Sequence, residues 1–269
     1  MRGLVAVAGA VVAVGGVVAF RGRRAAPARG GLDGYRLVNL AHVNDPGRTS
    51  GYPGDPAFTA ETVATVARDG YYLQYLHQGE HTGTHWGAPA HFTDGQPHAD
   101  ELDPEDLLLP AVKVDVRDRA ARDADYELSV DDLLRWERAH GRIPRCAAVV
   151  LWTGWEDRWG TPAFYNRDET GQVHQPGFSV AAVRWLLDTG RLGRRGALGT
   201  DAFGPDAGVD GDYRVSKLLY REHRISLEVL ANLAELPETG AHVLVGGTIN
   251  RRGSGSPASV YAFVPEHPR

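Results

Sequence analysis

The apolar positions of this chain fall into many short alternating or continuous runs and only a few helical stripes. Residues 36–43 alternate apolar and polar side chains, as a half-buried first strand would. Residues 71–77 also alternate and are rich in aromatics, which predicts a strand. Residues 111–116 and 147–153 are continuous apolar runs and read as buried strands, the second of them central. Residues 196–201 form a short strand ending in an acid, and residues 243–245 and 260–264 read as closing strands. Helical signals are fewer. Ser129, with Asp132 three residues on, caps a stretch in which Val130, Leu133, Leu134 and Trp136 give an apolar face. Ser179 caps a second helix with Val180, Val183, Trp185, Leu186 and Leu187 as its stripe and Gly190 near its end. Residues 59–62 open a short amphipathic stretch, predicted helical, that ends near Gly70, and residues 216–223 predict a helical turn. Residues 44–55, rich in Gly, Pro, Asp and Asn, form a long loop. Strands outnumber helices and do not alternate with them, so the fold class is α+β, a curved and mostly mixed sheet flanked by a few helices.

The first residues carry a different pattern. Residues 3–20 are an unbroken Gly/Ala/Val segment, marginal in length and hydrophobicity for a membrane span. Arg21, Arg23 and Arg24 follow, then Ala26-Pro27-Ala28, which has the small residues of a cleavage motif. A signal peptide, a weak membrane anchor and a misassigned start all remain open, and with them a cytoplasmic, membrane-anchored or secreted location. Residues 1–33 are set apart from a single domain over residues 34–269. Net charge is −5, with no long basic run in the body of the chain, which excludes a nucleic-acid partner. Cys146 is the sole cysteine, so no intrachain disulfide is possible, and its place at the start of an apolar run marks a small core residue.

The chemistry concentrates in residues 81–92, where His81, His85 and His91 fall within eleven residues. Gly83, Gly87 and Pro89 argue against a regular helix there. In a straight strand, four residues would set His81 and His85 roughly 13 Å apart. Gly83 is placed to break the strand and fold the two imidazoles towards each other. Such a bent segment suits a metal-ligand loop, with His91 as a third ligand or a general base. The plain alternative is three unrelated polar-loop histidines. Glu228 sits among apolar neighbours late in the chain, where a carboxylate must be paired, metal-bound or turned to solvent.

His81-Thr82-Gly83-Thr84-His85 followed by Ala88-Pro89-Ala90-His91-Phe92 resembles the signature of the cyclase superfamily, which includes bacterial kynurenine formamidase and isatin hydrolase. Tyr52-Pro53-Gly54-Asp55-Pro56, Leu151-Trp152-Thr153-Gly154-Trp155, Pro176-Gly177-Phe178-Ser179, Gly199-Thr200-Asp201, Glu228-Val229-Leu230-Ala231-Asn232-Leu233 and Gly255-Ser256-Pro257 match in the same order. The resemblance implies a swivelling β/β/α fold and a homodimer or homotetramer whose sites can be completed by a neighbouring subunit. It also implies a divalent metal, zinc or manganese, whose bound water attacks a small-molecule amide, formamide, lactam or lactone. On that reading His81, His85 and Glu228 hold the ion, and His91 is the general acid/base. Trp86, Trp152, Trp155 and Phe178 are the expected walls for a partly aromatic substrate.

Two positions depart from the pattern. The family has Asp two residues after the second His, where this chain has Gly87. It also has a His twelve residues before the Glu, where this chain has Ser216. His223 is near but out of register. Three readings follow: a metal-dependent hydrolase, a metal-independent cyclase or lyase using His91 and Glu228, and a non-catalytic small-molecule binder. A metal assay separates the first two.

Overall fold

The computed structural model describes residues 32–266. The apolar N-terminal segment, with its anchor or signal readings, lies outside the described residues. Twelve strands are present among the described residues: β1 (Tyr35–Asn39), β2 (Thr59–Ala64), β3 (Leu73–His77), β4 (His85–Gly87), β5 (Leu108–Asp115), β6 (Glu127–Leu128), β7 (Ala148–Trp152), β8 (Gly177–Phe178), β9 (Gly196–Thr200), β10 (Arg224–Glu228), β11 (Ala241–Gly247) and β12 (Gly255–Pro265). The α-helices are α1 (Val66–Asp69), α2 (Arg117–Ala120), α3 (Val130–His140), α4 (Val180–Asp188) and α5 (Arg214–Leu219).

Eight strands form one sheet in the order β1-β12-β11-β5-β7-β9-β10-β4, and β4 pairs again with β12. That second pairing closes the sheet on itself, with β1 added outside the ring along β12. β5, β7, β9 and β10 run parallel, and the pairings of β4, β11 and β12 are antiparallel. The sheet is therefore mixed and curved, with few helices, as the strand-rich pattern predicts.

Alternation along β7 shows how the core divides. Ala148, Val150 and Trp152 face one core with residues of β5, β11 and β12. Val149 and Leu151, with Ala147 just before them, face a second core under α3, α4 and α5. The period of two sends neighbouring side chains to opposite faces, so a strand buried on both sides reads as a continuous apolar run. Ser129 caps α3 by accepting from the Asp132 amide, and Ser179 caps α4 by accepting from the Ala182 amide, as the sequence predicts.

Residues 59–64 correct one expectation. They form β2 rather than the start of a helix, paired antiparallel with β3. Thr59, Thr62 and Val63 are β-branched and fit a pleated surface better than a helix. The helix that follows, α1, has only four residues and stops at Gly70, whose φ is +79°.

Candidate active site

The site is built where the sheet closes. β4 is only three residues long, and it is clasped on both sides. On one side His85 stands opposite Glu228 and Gly87 opposite Ser226. On the other, Gly87 stands opposite Gly255 and His85 opposite Pro257. Directly opposed residues on adjacent strands carry their side chains on the same face. The register thus brings His85 to Glu228 across more than a hundred residues of chain.

Gly83 supplies the bend that the sequence requires. Its φ is +61°, and a Cβ there would run into the Asn44 side chain. Thr84 pins the turn: its hydroxyl donates to the Val229 carbonyl at 2.5 Å and accepts from the His42 amide at 2.9 Å. The His81 and His85 rings consequently stand 5.0 Å apart, edge to face. Pro89 then starts a single 3-10 turn, Pro89–His91. That turn stacks the His91 ring on His81 at 3.8 Å. All three imidazoles and the Glu228 carboxylate line one cavity of about 270 Å³. Its aromatic lining is Tyr52, Phe92, Phe203 and Tyr213, and Asp55, Gln175 and Asp206 add polar groups.

Protonation states follow from the partners. His85 Nδ1 lies 2.9 Å from the Gly83 carbonyl oxygen, and its Nε2 lies 3.2 Å from Glu228 Oε2. Burial opposes charge on His85, but Glu228 and the Gly83 carbonyl outweigh it and raise the His85 pKa. Burial likewise opposes charge on Glu228, but His85 and the Ser226 hydroxyl hold its carboxyl below the usual range. Burial, with His85 and His91 nearby, drives His81 down to about 3, so that ring is neutral. His91 is also lowered, chiefly by desolvation against the pull of Glu228. His85 is thus the imidazole that favours its proton, beside Glu228, while His81 and His91 favour the neutral form, the assortment of a site with a base ready at neutral pH.

The expected substrate walls are a correction. Trp86 is 1% exposed and packs in the sheet's core, because alternation along β4 turns it away from His85 and Gly87. Trp152 belongs to the same core, capped by the Arg117 guanidinium 3.5 Å from its ring. Trp155 is buried under the loops, donating to the Phe164 carbonyl at 2.8 Å. Phe178 packs beneath α3 and α4. None of the four lines the cavity. Tyr52 and Asp55 were within reach of sequence reasoning, because they belong to a matched motif. Phe203, Tyr213 and Tyr220 carried no such signal.

The two departing positions are filled rather than empty. A Cβ on Gly87 would overlap the Tyr220 hydroxyl and lie 2.7 Å from Ser226 Oγ. The Tyr220 hydroxyl donates to Ser226 Oγ at 2.6 Å, and Ser226 donates to Glu228 Oε1 at 2.5 Å. Ser216 donates to Asp206 Oδ2 at 2.5 Å, and Asp206 also accepts the Val215 and Ser216 amides at the start of α5. His81 Nε2 lies 2.9 Å from Ser254 Oγ. Ser254 gives its own proton to Glu80 at 2.8 Å, so His81 Nε2 is the donor to Ser254. Among the described residues, the group that brings three ligand atoms within 4.8 Å of one another is Asp103, Asp106 and His223, not His81, His85 and Glu228. That acidic/His group already holds a cation: Arg195 lies 3.0 Å from both Asp103 and Asp106. The residues at the histidine cavity therefore do not fit the expected zinc or manganese ligand set.

With this geometry in hand, the chain's relatives are informative. The Cyclase family, described as “Putative cyclase”, matches residues 38–207. An isatin hydrolase of Roseibium aggregatum is 37% identical over 194 residues, covering 70% of this chain and 73% of that protein. The structure of isatin hydrolase A from Labrenzia aggregata, bound to benzyl benzoate, superposes with a TM-score of 0.80 at 32% identity, covering 87% of this chain and 95% of that one. An isatin hydrolase bound to the product analogue thioisatinate gives 0.79 at 31% identity, covering 87% and 94%. This chain belongs to the cyclase family and is an enzyme, a hydrolase.

Proposed function

We propose that the protein hydrolyses a carbon–nitrogen bond in an amide, formamide or lactam, or the ester of a lactone, in a small and partly aromatic substrate. The observation that carries this is the meeting of His81, His85, His91 and Glu228 in one cavity with Tyr52, Phe92, Phe203 and Tyr213. A volume of about 270 Å³ suits a fused bicyclic compound rather than a polymer. A lactam such as isatin is the first candidate, because relatives of similar fold and above 30% identity include isatin hydrolases.

In the proposed reaction a water attacks the carbonyl carbon, and neutral His91 takes its proton. The protonated His91 then gives that proton to the departing nitrogen as the bond to carbon breaks, or to the departing oxygen for a lactone. His85, with one ring nitrogen against the Gly83 carbonyl and the other against Glu228, holds the cavity wall beside which His91 works. No step is routed through zinc or manganese, since the ligand set is not met here. The resemblance further supports the swivelling β/β/α arrangement and a homodimer or homotetramer as the working assembly. The sequence pattern supports reading residues 1–33 as a signal or anchor-like segment and linker, apart from the domain of residues 34–269.

The test is a hydrolysis assay of the purified protein on isatin, an N-formyl aromatic amine and an aromatic lactone. Turnover of at least one is expected, and His91→Gln should lower kcat by roughly 10²–10⁴-fold, the usual weight of a general base. No turnover of any of them, or a His91→Gln variant with the original rate, would sink the reading.

A further inference from the structure

The Gly87–Tyr220 pair bears on how this site does its chemistry. Residue 87 sits directly opposite Ser226 and on the same face as His85 and Glu228. A carboxylate ligand reaching the cavity from position 87 would need the volume that the Tyr220 hydroxyl occupies. That hydroxyl is fully buried and held at the end of α5, where the Tyr220 amide donates to the Ser216 carbonyl at 3.0 Å. Its proton goes to Ser226, and the Ser226 proton goes to Glu228. The Gly87 amide also donates to Ser226 Oγ, at 3.2 Å. Ser226 therefore accepts twice and has one proton left to give, which orients it on Glu228. One carboxylate oxygen is committed to Ser226 and the other faces His85.

We infer that this site works without a resident metal ion, with the Tyr220–Ser226–Glu228–His85 chain of contacts occupying the ligand space and fixing the charged pair in its place. Tyr220 is a positioning residue: it does not line the cavity, and it acts through Ser226 on Glu228. The second missing ligand points the same way, because Ser216 faces Asp206 and closes the start of α5. Loss of two ligands, each replaced by a group with its own satisfied partner, is a rebuilt site and not an incomplete one.

This inference rests on the proposed hydrolysis for one of its readouts only. The first measurement needs no substrate. The full-length protein is dialysed against Mn²⁺ or Zn²⁺, freed of excess metal, and its metal content is measured. Doing this in a His223→Asn background removes the Asp103–Asp106–His223 group as a competing site. Substoichiometric metal is expected, with turnover unchanged by a chelator. Stoichiometric metal in that background, with activity that follows it, overturns the inference. The second measurement is Tyr220→Phe, which keeps the ring and removes the hydroxyl. Loss of a hydrogen bond feeding a charged group predicts a fall in kcat of about tenfold or more with KM held, because substrate does not touch Tyr220. A Tyr220→Phe variant with the original kcat also overturns it. If no amide, lactam or lactone is hydrolysed, the proposed function falls while the metal measurement still decides this point.

Discussion

The Tyr220 hydroxyl stands in the space that a side chain on residue 87 would need, so each of the two residues dictates the other. Gly87→Ala puts a Cβ onto that hydroxyl and against Ser226 in a fully packed seam between β4, β10 and β12. Overpacking of this kind costs about 1–3 kcal/mol. In the Tyr220→Phe background the nearest ring atom, Cζ, lies 3.3 Å away, a tight but tolerable contact. The two substitutions should therefore be non-additive: Gly87→Ala costs less in the presence of Tyr220→Phe. Urea denaturation of the two single variants and the double variant measures this, and simple additivity would refute the coupling.

Gly83 is the second backbone position on which the site turns. Its φ of +61° and its closeness to Asn44 leave no room for a side chain. Gly83→Ala is expected to lower stability by about 1 kcal/mol or more from backbone strain alone. It should also reduce turnover beyond what unfolding explains, because the bend sets the 5.0 Å approach of His81 to His85. The check is turnover per folded molecule at a temperature well below the melting midpoint.

Much of this was legible from residue types. The three histidines declared themselves by crowding, and Gly83 declared the bend because little else permits the left-handed conformation. Continuous apolar runs marked β5 and β7 as buried. The pairing of His85 with Glu228 was not readable from either segment, because it depends on a strand register between elements far apart in sequence. Trp86 shows the complementary limit. It stands between two site residues in the sequence, yet the period of a strand turns it into the core. Tyr220 was invisible for a related reason: nothing local distinguishes a tyrosine that ends a short helix from one that fills the space of a missing ligand.

Acid should destabilise the protein through buried imidazoles that fold in neutral form, His81 and His42 foremost. Burial drives His81 to about 3 and His42 to about 4, against an ordinary value of 6.5. His42 is stacked on Trp159 at 4.4 Å, outside the charged pair of the site. Below pH 6.5 the unfolded chain takes up protons that the folded chain refuses, so stability falls as pH drops from about 6.5 towards 4. His42→Gln should flatten part of that fall. Melting midpoints of the original and variant proteins between pH 7 and 4.5 provide the measure, and parallel curves would contradict the assignment.

The His85–Glu228 pair makes the sharpest demand on pH. Glu228 is lowered from 4.5, so its contribution is present above pH 4.5 and is lost as pH falls through its folded value. His85 is raised from 6.5, so its contribution is present below pH 6.5 and is lost as pH rises through its folded value. The pair therefore stabilises most between these two ordinary values and erodes on either side. Glu228→Gln removes the counter-charge and leaves a buried imidazole that must give up its proton. Breaking such a pair from one side costs about 3–5 kcal/mol. That cost should be largest near pH 5.5 and should shrink at alkaline pH, as the pH rises through the folded value of His85. Denaturation of both proteins at the two pH values decides the matter. An equal cost at both would mean that Glu228 holds its place by hydrogen bonds to Ser226 and not by the charge on His85.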